Sequence, residues 1–373
     1  METFDVLILG AGIVGTACAR ECAAAGMRVG VVEPAVLGGG ATAAGMGHVV
    51  LMDDSPAQLA LSRFSRDLWR DLRAQLPQGV EYEECGTLWL AVDAEEMAEV
   101  FAKRETYAHL GVDSEVLDEK ALREVEPNLR QGMTGALLVP HDGVIYPPAA
   151  AAFFLEAAIA HGARHLRGKR AIRAAAGEVV LDDGTRLNAA HIVIATGTDI
   201  SLCPWLAVQP RKGHLVITDR YPGFVRHQLV ELGYLKSAHA ITADSVAFNA
   251  QPRKTGQILL GSSRQFGDVE PTARPKMVRR MLDRAIEYLP GLGSLSAIRV
   301  WTGFRAATPD KLPYIGPTPD PTVLVAMGFE GLGITNAPGT ARLVLHHLTG
   351  AQVVLDPAPY LPSRAAVTEA LYA

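Results

Sequence analysis

Phe4-Asp5-Val6-Leu7-Ile8-Leu9-Gly10-Ala11-Gly12-Ile13-Val14-Gly15 is the stretch that decides the fold. A continuously apolar run of strand type meets G-x-G-x-x-G. An alanine-rich run of helical type follows from Thr16 to Ala25, and Gly26 stops it. A second apolar run, Val29 to Val32, ends in Glu33, 18 positions after Gly15. Strand, glycine turn, helix, strand and acid in this order make a β-α-β dinucleotide fingerprint. Gly10 permits the tight turn, Gly12 lets the backbone approach a pyrophosphate, and Gly15 lets helix and strand pack closely. The free N–H groups at the helix start face the phosphates, and Glu33 accepts from a ribose hydroxyl.

Composition narrows the class. With 373 residues the chain has room for two domains or one large one. Hydrophobic residues make up 49% and charged residues 20%, which fits a globular enzyme and excludes a disordered chain. A net charge of −5 offers no basic field to nucleic acid. No apolar run reaches the roughly 18 residues that a bilayer span needs. The fingerprint strand starts within a few residues of Met1, which leaves no room for a cleaved signal and predicts a cytoplasmic protein. Cys18, Cys22, Cys85 and Cys203 form no metal spacing, so no metal site is expected. Cys18 and Cys22 lie four apart on one helix face, where they read as buried packing.

Beyond Glu33 the loop Gly38 to Gly47 is almost all Gly and Ala, with Thr42 adding a hydroxyl. It reads as a second ligand-contacting loop that opens a helix, or as a plain surface loop. Ser55 to Leu76 has helical periodicity, with Arg63, Arg66, Arg70, Arg73, Asp67 and Asp71 on a solvated face. Gly86 to Val92 reads as strand, Ala94 to Leu110 and Asp118 to Val125 as helices, and Gly135 to Val139 as strand. Proline opens the helix Ala149 to His161. His141, beside the preceding turn, is a candidate acid or base and equally a surface residue. Gly162 to Arg173 reads as one strand, and Glu178 to Leu187 as a hairpin around Asp183-Gly184. His191-Ile192-Val193-Ile194-Ala195-Thr196-Gly197 is a buried parallel strand ending in glycine, where sheet ligands bind. From Arg211 to Gly261 the pattern alternates as in an antiparallel sheet, and Pro275 to Leu289 is a helix. The chain closes with Val300 to Gly316 and with Val323 to Thr335, a strand, a glycine-rich turn and a helix start.

Five blocks in order resemble one family, over nearly the whole chain. They are Gly10 to Glu33, the Ala41-to-Gly47 loop, Asp142-Gly143-Val144-Ile145-Tyr146-Pro147, Ile192 to Gly197, and the paired segments Gly303 to Gly316 and Met327 to Pro338. The chain resembles the flavin-dependent amino-acid and amine oxidoreductases of the D-amino acid oxidase, glycine oxidase and sarcosine oxidase type. Glycine oxidase and D-hydroxyproline-type dehydrogenase subunits look nearest. The resemblance implies an α/β (α+β) fold: a Rossmann-like FAD-binding domain with an interleaved substrate domain on an antiparallel sheet. Its segments would be 1–80, 140–207 and 300–373 for FAD, and 81–139 and 208–299 for substrate. It implies FAD contacts at Gly10, Gly12, Ile13, Val14, Gly15, Glu33, Thr42, Ala43, Ala44, Gly45, Met46, Ala171, Thr196, Gly197, Gly303, Gly331, Leu332, Gly333, Ile334 and Thr335. The chain has a single G-x-G-x-x-G, which agrees with FAD and no second nucleotide.

The resemblance also implies a mechanism. Arg305, in the Gly303-Phe304-Arg305 segment, would grip the substrate carboxylate with two prongs as the catalytic and binding residue, or else form a structural ion pair. Asn249 and Arg264 fall on further substrate-facing positions, with Tyr234 and His239 as weaker candidates. The substrate would be a small amino or imino acid, such as glycine, a D-amino acid or a cyclic D-proline type. Its α-hydrogen would pass as hydride to flavin N5. Gly303 stands where sarcosine oxidase carries its flavin-linking cysteine, so FAD is expected to be non-covalent. Leu259 stands where that relative has an oxygen-promoting lysine, which leaves oxygen or another redox partner as acceptor. Other readings are a flavin-bearing subunit of an electron-transfer complex, homo- or hetero-oligomeric, and a flavin hydroxylase. The latter usually shows a late Gly-Asp pair, where this chain has Gly328-Phe329-Glu330-Gly331.

Overall fold

Thr3–Leu9 is an inner strand of an eight-stranded sheet in the computed structural model, which describes residues 3–233 and 244–364. Tyr234 and His239 lie outside the described residues. Its parallel neighbours are Arg186–Ile194 on one side and Val29–Glu33 on the other. Val323–Met327 and Arg164–Arg167 extend the parallel set, and Tyr314–Pro317 closes one edge antiparallel. Val6, Leu7, Ile8 and Val31 are fully buried, as a strand covered on both faces requires. This sheet belongs to a compact unit of Met1–Val80, Tyr146–Pro210 and Phe304–Ala373.

Helix packing in this unit follows from small residues and one proline. Ile13–Ala24 packs against Pro147–Ala160 and Gly333–Thr349, and Cys18 and Cys22 are fully buried. Pro56–Leu72 starts where the Ser55 hydroxyl accepts from the Gln58 N–H at 3.1 Å, with Pro56 in the first turn. Pro338 sits inside the helix Gly333–Thr349. It has no N–H, so the Ile334 carbonyl four residues earlier loses its intrahelical donor. The buried Trp69 indole replaces it, with Nε1 donating to the Ile334 and Thr335 carbonyls at 3.1 Å each. Next to Pro338, a Cβ on Gly339 would stand 2.2 Å from the Ser65 Oγ, so glycine is what lets these helices touch.

A second compact unit comprises Glu81–Ile145 and Arg211–Gly303. Its eight-stranded sheet runs, from one edge to the other, Ala297–Ala307, Gln209–Arg220, Gln257–Arg264, Ser245–Pro252, Gln228–Glu231, Thr87–Ala91, Gly135–Val139 and Glu115–Asp118. Leu88, Leu90, Leu229, Phe248, Ala250, Ile258 and Leu260 form one core with Met281, Ala285 and Tyr288 of the helix Pro275–Tyr288. Phe248 stacks on Tyr288 with ring centroids 4.5 Å apart. Beneath them the Glu231 carboxylate accepts from the Phe248 N–H at 2.7 Å, the Tyr288 hydroxyl at 2.9 Å and the Arg284 guanidinium. Burial, with the Glu231 charge, pushes the Tyr288 hydroxyl far above its ordinary pKa.

The structure departs from the sequence reading in four places. Gly162 to Arg173 is two strands, Arg164–Arg167 and Ala171–Ala175, because Gly168 turns the chain at φ 66° and donates to the Glu33 carbonyl at 2.8 Å. Asp118 is not helical but caps the helix Glu119–Val125, accepting from the Ala121 N–H at 2.8 Å. The sheet of the second unit is mixed: Gln228–Glu231 pairs parallel with Thr87–Ala91. Arg66, expected on a solvated face, is only 4% exposed. Replacing Trp69 with Phe keeps the ring and removes the donor to the Pro338-freed carbonyl. Stability should fall by about 1–3 kcal/mol in urea unfolding. An unchanged midpoint would contradict this account of the helix.

Candidate functional site

Parallel strands bring their carboxyl ends to one edge of the sheet, and there the glycine turns collect. Gly10 has φ 109°, and a Cβ on it would lie 2.5 Å from the Ala195 carbonyl oxygen. Gly10 N–H donates to Val32 O at 2.8 Å and Ala195 N–H to Leu9 O at 2.9 Å, so three strand ends are tied together. A Cβ on Gly15 would sit 2.0 Å from the Gly10 oxygen, so the helix start presses directly on the turn. The Ile13 N–H donates to Thr42 Oγ1 at 3.0 Å, which pins the loop helix Gly40–Ala44 to the fingerprint. Val14, in the same first turn, is buried.

Glu33 stands at the end of its strand with both carboxylate oxygens engaged. Oε2 accepts from the Ala11 N–H at 2.7 Å and Oε1 from the Ala35 N–H at 2.8 Å. A carboxylate has about four lone-pair sites, so acceptor capacity for a ribose diol remains. Ala171 opens its strand a few residues past the turn that donates to the Glu33 carbonyl, and packs against the core. Thr196 Oγ1 donates to the Asp199 carbonyl at 2.5 Å, and Gly197 turns at φ 68°. A Cβ on Gly40 or on Gly197 meets nothing within 4 Å, so both turns face open space.

The loop after Thr42 is fixed from the other end of the chain. A Cβ on Gly45 would lie 2.7 Å from Ile334 Cδ1. Ala43 is exposed, whereas Met46 is 8% exposed. The buried Thr335 hydroxyl donates to the His48 carbonyl at 2.9 Å and accepts from the Val50 N–H at 3.4 Å. Gly331 is exposed, and Leu332 and Gly333 are half-buried, at the start of Gly333–Thr349.

Arg305 lies against this same turn. A Cβ on Gly331 would be 3.5 Å from Arg305 Nε and 3.7 Å from its Cδ. Ala306 pairs antiparallel with Glu330, which fixes the strand beside the turn. Gly10, Gly12, Ile13, Glu33, Thr42, Gly45, Thr196, Gly331, Thr335 and Arg305 all belong to the first unit, Arg305 in the last residues of the strand Ala297–Ala307. Gly303, Asn249 and Arg264 belong to the second unit. There Asn249 is 7% and Arg264 8% exposed. Phe248 and Ala250 face the helix Pro275–Tyr288, so alternation puts Asn249 on the opposite face. Leu259 is buried in the neighbouring strand.

Other candidates resolve as structural. His141 lies at the surface, with Nε2 3.2 Å from an Asp113 carboxylate oxygen and Nδ1 3.6 Å from one of Glu84. All four thiols are unpaired, and burial pushes Cys22, Cys85 and Cys203 up to about 12, so none is a ready nucleophile. Among the described residues no cluster of His, Cys, Asp and Glu suits a metal, and no helix is long and apolar enough to cross a membrane. Trp69 and Glu330 make contacts in this region that the sequence reading missed. The signal for Trp69 was Pro338 inside a helical pattern.

A parallel sheet with a glycine turn, an acid at the next strand end and a second glycine-rich loop defines a dinucleotide-binding fold. The family model for FAD dependent oxidoreductases matches residues 5–346, and the chain belongs to that family. Glycine oxidase of Pseudomonas aeruginosa is 28% identical, over 96% of this chain and 98% of that one. D-amino acid dehydrogenase of Rhodopseudomonas palustris is 30% identical, over 80% of this chain and 70% of that one. The crystal structure of glycine oxidase from Geobacillus kaustophilus superposes with a TM-score of 0.87 at 26% identity, covering 98% and 99% of the two chains. The protein is an FAD-dependent amino-acid oxidoreductase of the glycine oxidase and D-amino acid dehydrogenase type.

The cradle fits the cofactor: glycines at every close approach, an acid for the ribose, and open space at Gly40 and Gly197. Gly12, Val14, Gly15 and Thr42 would hold the pyrophosphate, Glu33 the ribose, and Gly331 to Thr335 the flavin end, whereas the Ile13 N–H, expected at the phosphates, is taken by Thr42 Oγ1. Glu33→Leu removes the acceptor of two backbone N–H groups. The cofactor-free protein should lose about 1–3 kcal/mol in urea unfolding. FAD affinity, read by fluorescence titration, should fall at least about tenfold, the loss of one good hydrogen bond. Parent-like values in both measurements would contradict the role given to Glu33.

Proposed function

We propose that the enzyme oxidises the C–N bond of a small amino or imino acid and that Arg305 anchors the substrate carboxylate. The observation that carries this is the placement of Arg305 along Gly331, at the turn that follows the carboxyl end of a parallel strand. A guanidinium offers a planar fork of N–H donors that matches a carboxylate. With the acid end fixed, the α-carbon is presented in one orientation, and orientation alone lowers barriers substantially. Bound flavin supplies the redox chemistry, accepting the α-hydrogen with its electron pair. The amine enters neutral, so no side-chain base is required of this chain. The resulting imine hydrolyses after release. The helix start at Gly333, with its N–H groups, favours negative charge nearby. Asn249 and Arg264, both buried, are further residues proposed to contact substrate.

Both kinds of acceptor stay within this reading, because glycine oxidase and D-amino acid dehydrogenase are both relatives. Leu259, buried at the position where an oxygen-promoting lysine is expected in sarcosine oxidase, favours an acceptor other than oxygen. A flavin-bearing subunit that passes electrons to a partner chain has the same site chemistry.

The test is anaerobic bleaching of the flavin by a panel of D-amino, N-methyl and cyclic imino acids, each beside the matching amine without a carboxylate. Acids should bleach and amines should not. Arg305→Ala should keep FAD and lose at least about 100-fold in kcat/KM, the equivalent of about 3 kcal/mol. Equal bleaching by acids and amines, or an unimpaired Arg305→Ala, would contradict the proposal. Release of hydrogen peroxide in air would identify an oxidase, and turnover with a dye alone a dehydrogenase.

A further inference from the structure

Glu330 is one of four described non-glycine residues with positive φ, at 54°. That region costs a residue with a Cβ about 1 kcal/mol or more, and glycine adopts it freely. Glycines stand close by at 328, 331 and 333, so a glycine at 330 would relax the turn. Backbone and side-chain bonds both hold the glutamate there. Its N–H donates to the Ala306 carbonyl at 2.9 Å, and its Oε1 accepts from the Thr308 N–H at 3.2 Å. Thr308 is fixed on two further sides. Its hydroxyl donates to the Leu312 carbonyl at 3.0 Å, and a Cβ on Gly328 would lie 2.5 Å from its methyl group. Backbone and side chain of a single residue thus clamp the strand immediately after Arg305, while the turn at 330 lays Gly331 beneath the guanidinium.

We propose that Glu330 is a positioning residue for the substrate: it sets where the Arg305 guanidinium stands, through Ala306, Thr308 and the course of the Gly331 peptide. The inference rests on the reading of Arg305 as the carboxylate anchor. The carboxylate of Glu330 acts as a hydrogen-bond acceptor in this role, so an amide oxygen serves nearly as well.

Glu330→Gly and Glu330→Gln in the FAD-loaded protein separate positioning from plain structural support. Acetate is the probe, and its dissociation constant is read from the perturbed flavin spectrum. Glu330→Gly removes backbone strain together with the side-chain half of the clamp, the bond to the Thr308 N–H, and keeps the N–H donor to Ala306. It should keep FAD and melt no lower than the parent, yet bind acetate about tenfold to 100-fold more weakly, with KM for the amino acid raised more than kcat is lowered. Glu330→Gln should stay within about threefold of the parent, since a single neutral hydrogen bond is retained. Parent-like acetate binding in Glu330→Gly overturns the inference. So does a loss of affinity matched by a lower melting temperature or lost flavin, or an equal loss in Glu330→Gln. Arg305→Ala is measured beside them. If it loses acetate binding while Glu330→Gly does not, positioning alone fails. If it too binds acetate normally, the anchor reading fails with it.

Discussion

The carbonyl oxygen of Ala195 occupies the space where residue 10 would carry a Cβ, and the Gly10 oxygen does the same to residue 15. No side chain fits at either point, and glycine at both is the condition for the first helix to begin where it does. Two strand ends and a helix N-terminus then converge within a few ångströms. Ile13, Thr42 and Glu33 inherit their places from that convergence: the N–H of Ile13 reaches Thr42, and the carboxylate of Glu33 reaches the Ala11 N–H. A larger residue at 10 or 15 would separate the acid from the turn it serves.

The far end of the chain completes the same edge by a different device. Val323–Met327 runs parallel into it, and the turn that follows must bring Arg305, Gly331 and Thr335 together. Thr335 fastens the turn to His48 and Val50, Ile334 presses on Gly45, and Trp69 takes up the Ile334 carbonyl that Pro338 leaves without a donor. Strain at Glu330 is tolerated because so many neighbours fix the path around it. Residues that are distant in sequence are therefore rigid relative to one another, which a site that relies on orientation needs.

Much of this was legible in the sequence. The strand and helix around Gly10 to Glu33 read directly, because glycine spacing and hydrophobic period are local properties. The apolar runs ending at Gly197 and Gly328 read as strands for the same reason, and they pair in parallel in the first sheet. The break of Gly162 to Arg173 into two strands was not legible, since Gly168 turns there in order to bond the Glu33 carbonyl, a partner far off in the chain. The burial of Arg66 escaped too: a charge on a helix reads as solvated unless another element covers it. Register in the second unit depends on tertiary pairing, so the parallel contact of Gln228–Glu231 with Thr87–Ala91 could not be read from alternation. Glu330 escaped because nothing local says that a glutamate will adopt a glycine's conformation.

The central claim is that a carboxylate sits on Arg305 beside the flavin turn. The most direct measurement is a crystal structure of the FAD-loaded protein with an unreactive small carboxylate bound. The account predicts two guanidinium nitrogens of Arg305 at about 2.7–2.9 Å from the two carboxylate oxygens. A carboxylate held by other residues, with the guanidinium turned toward protein acids, would contradict it.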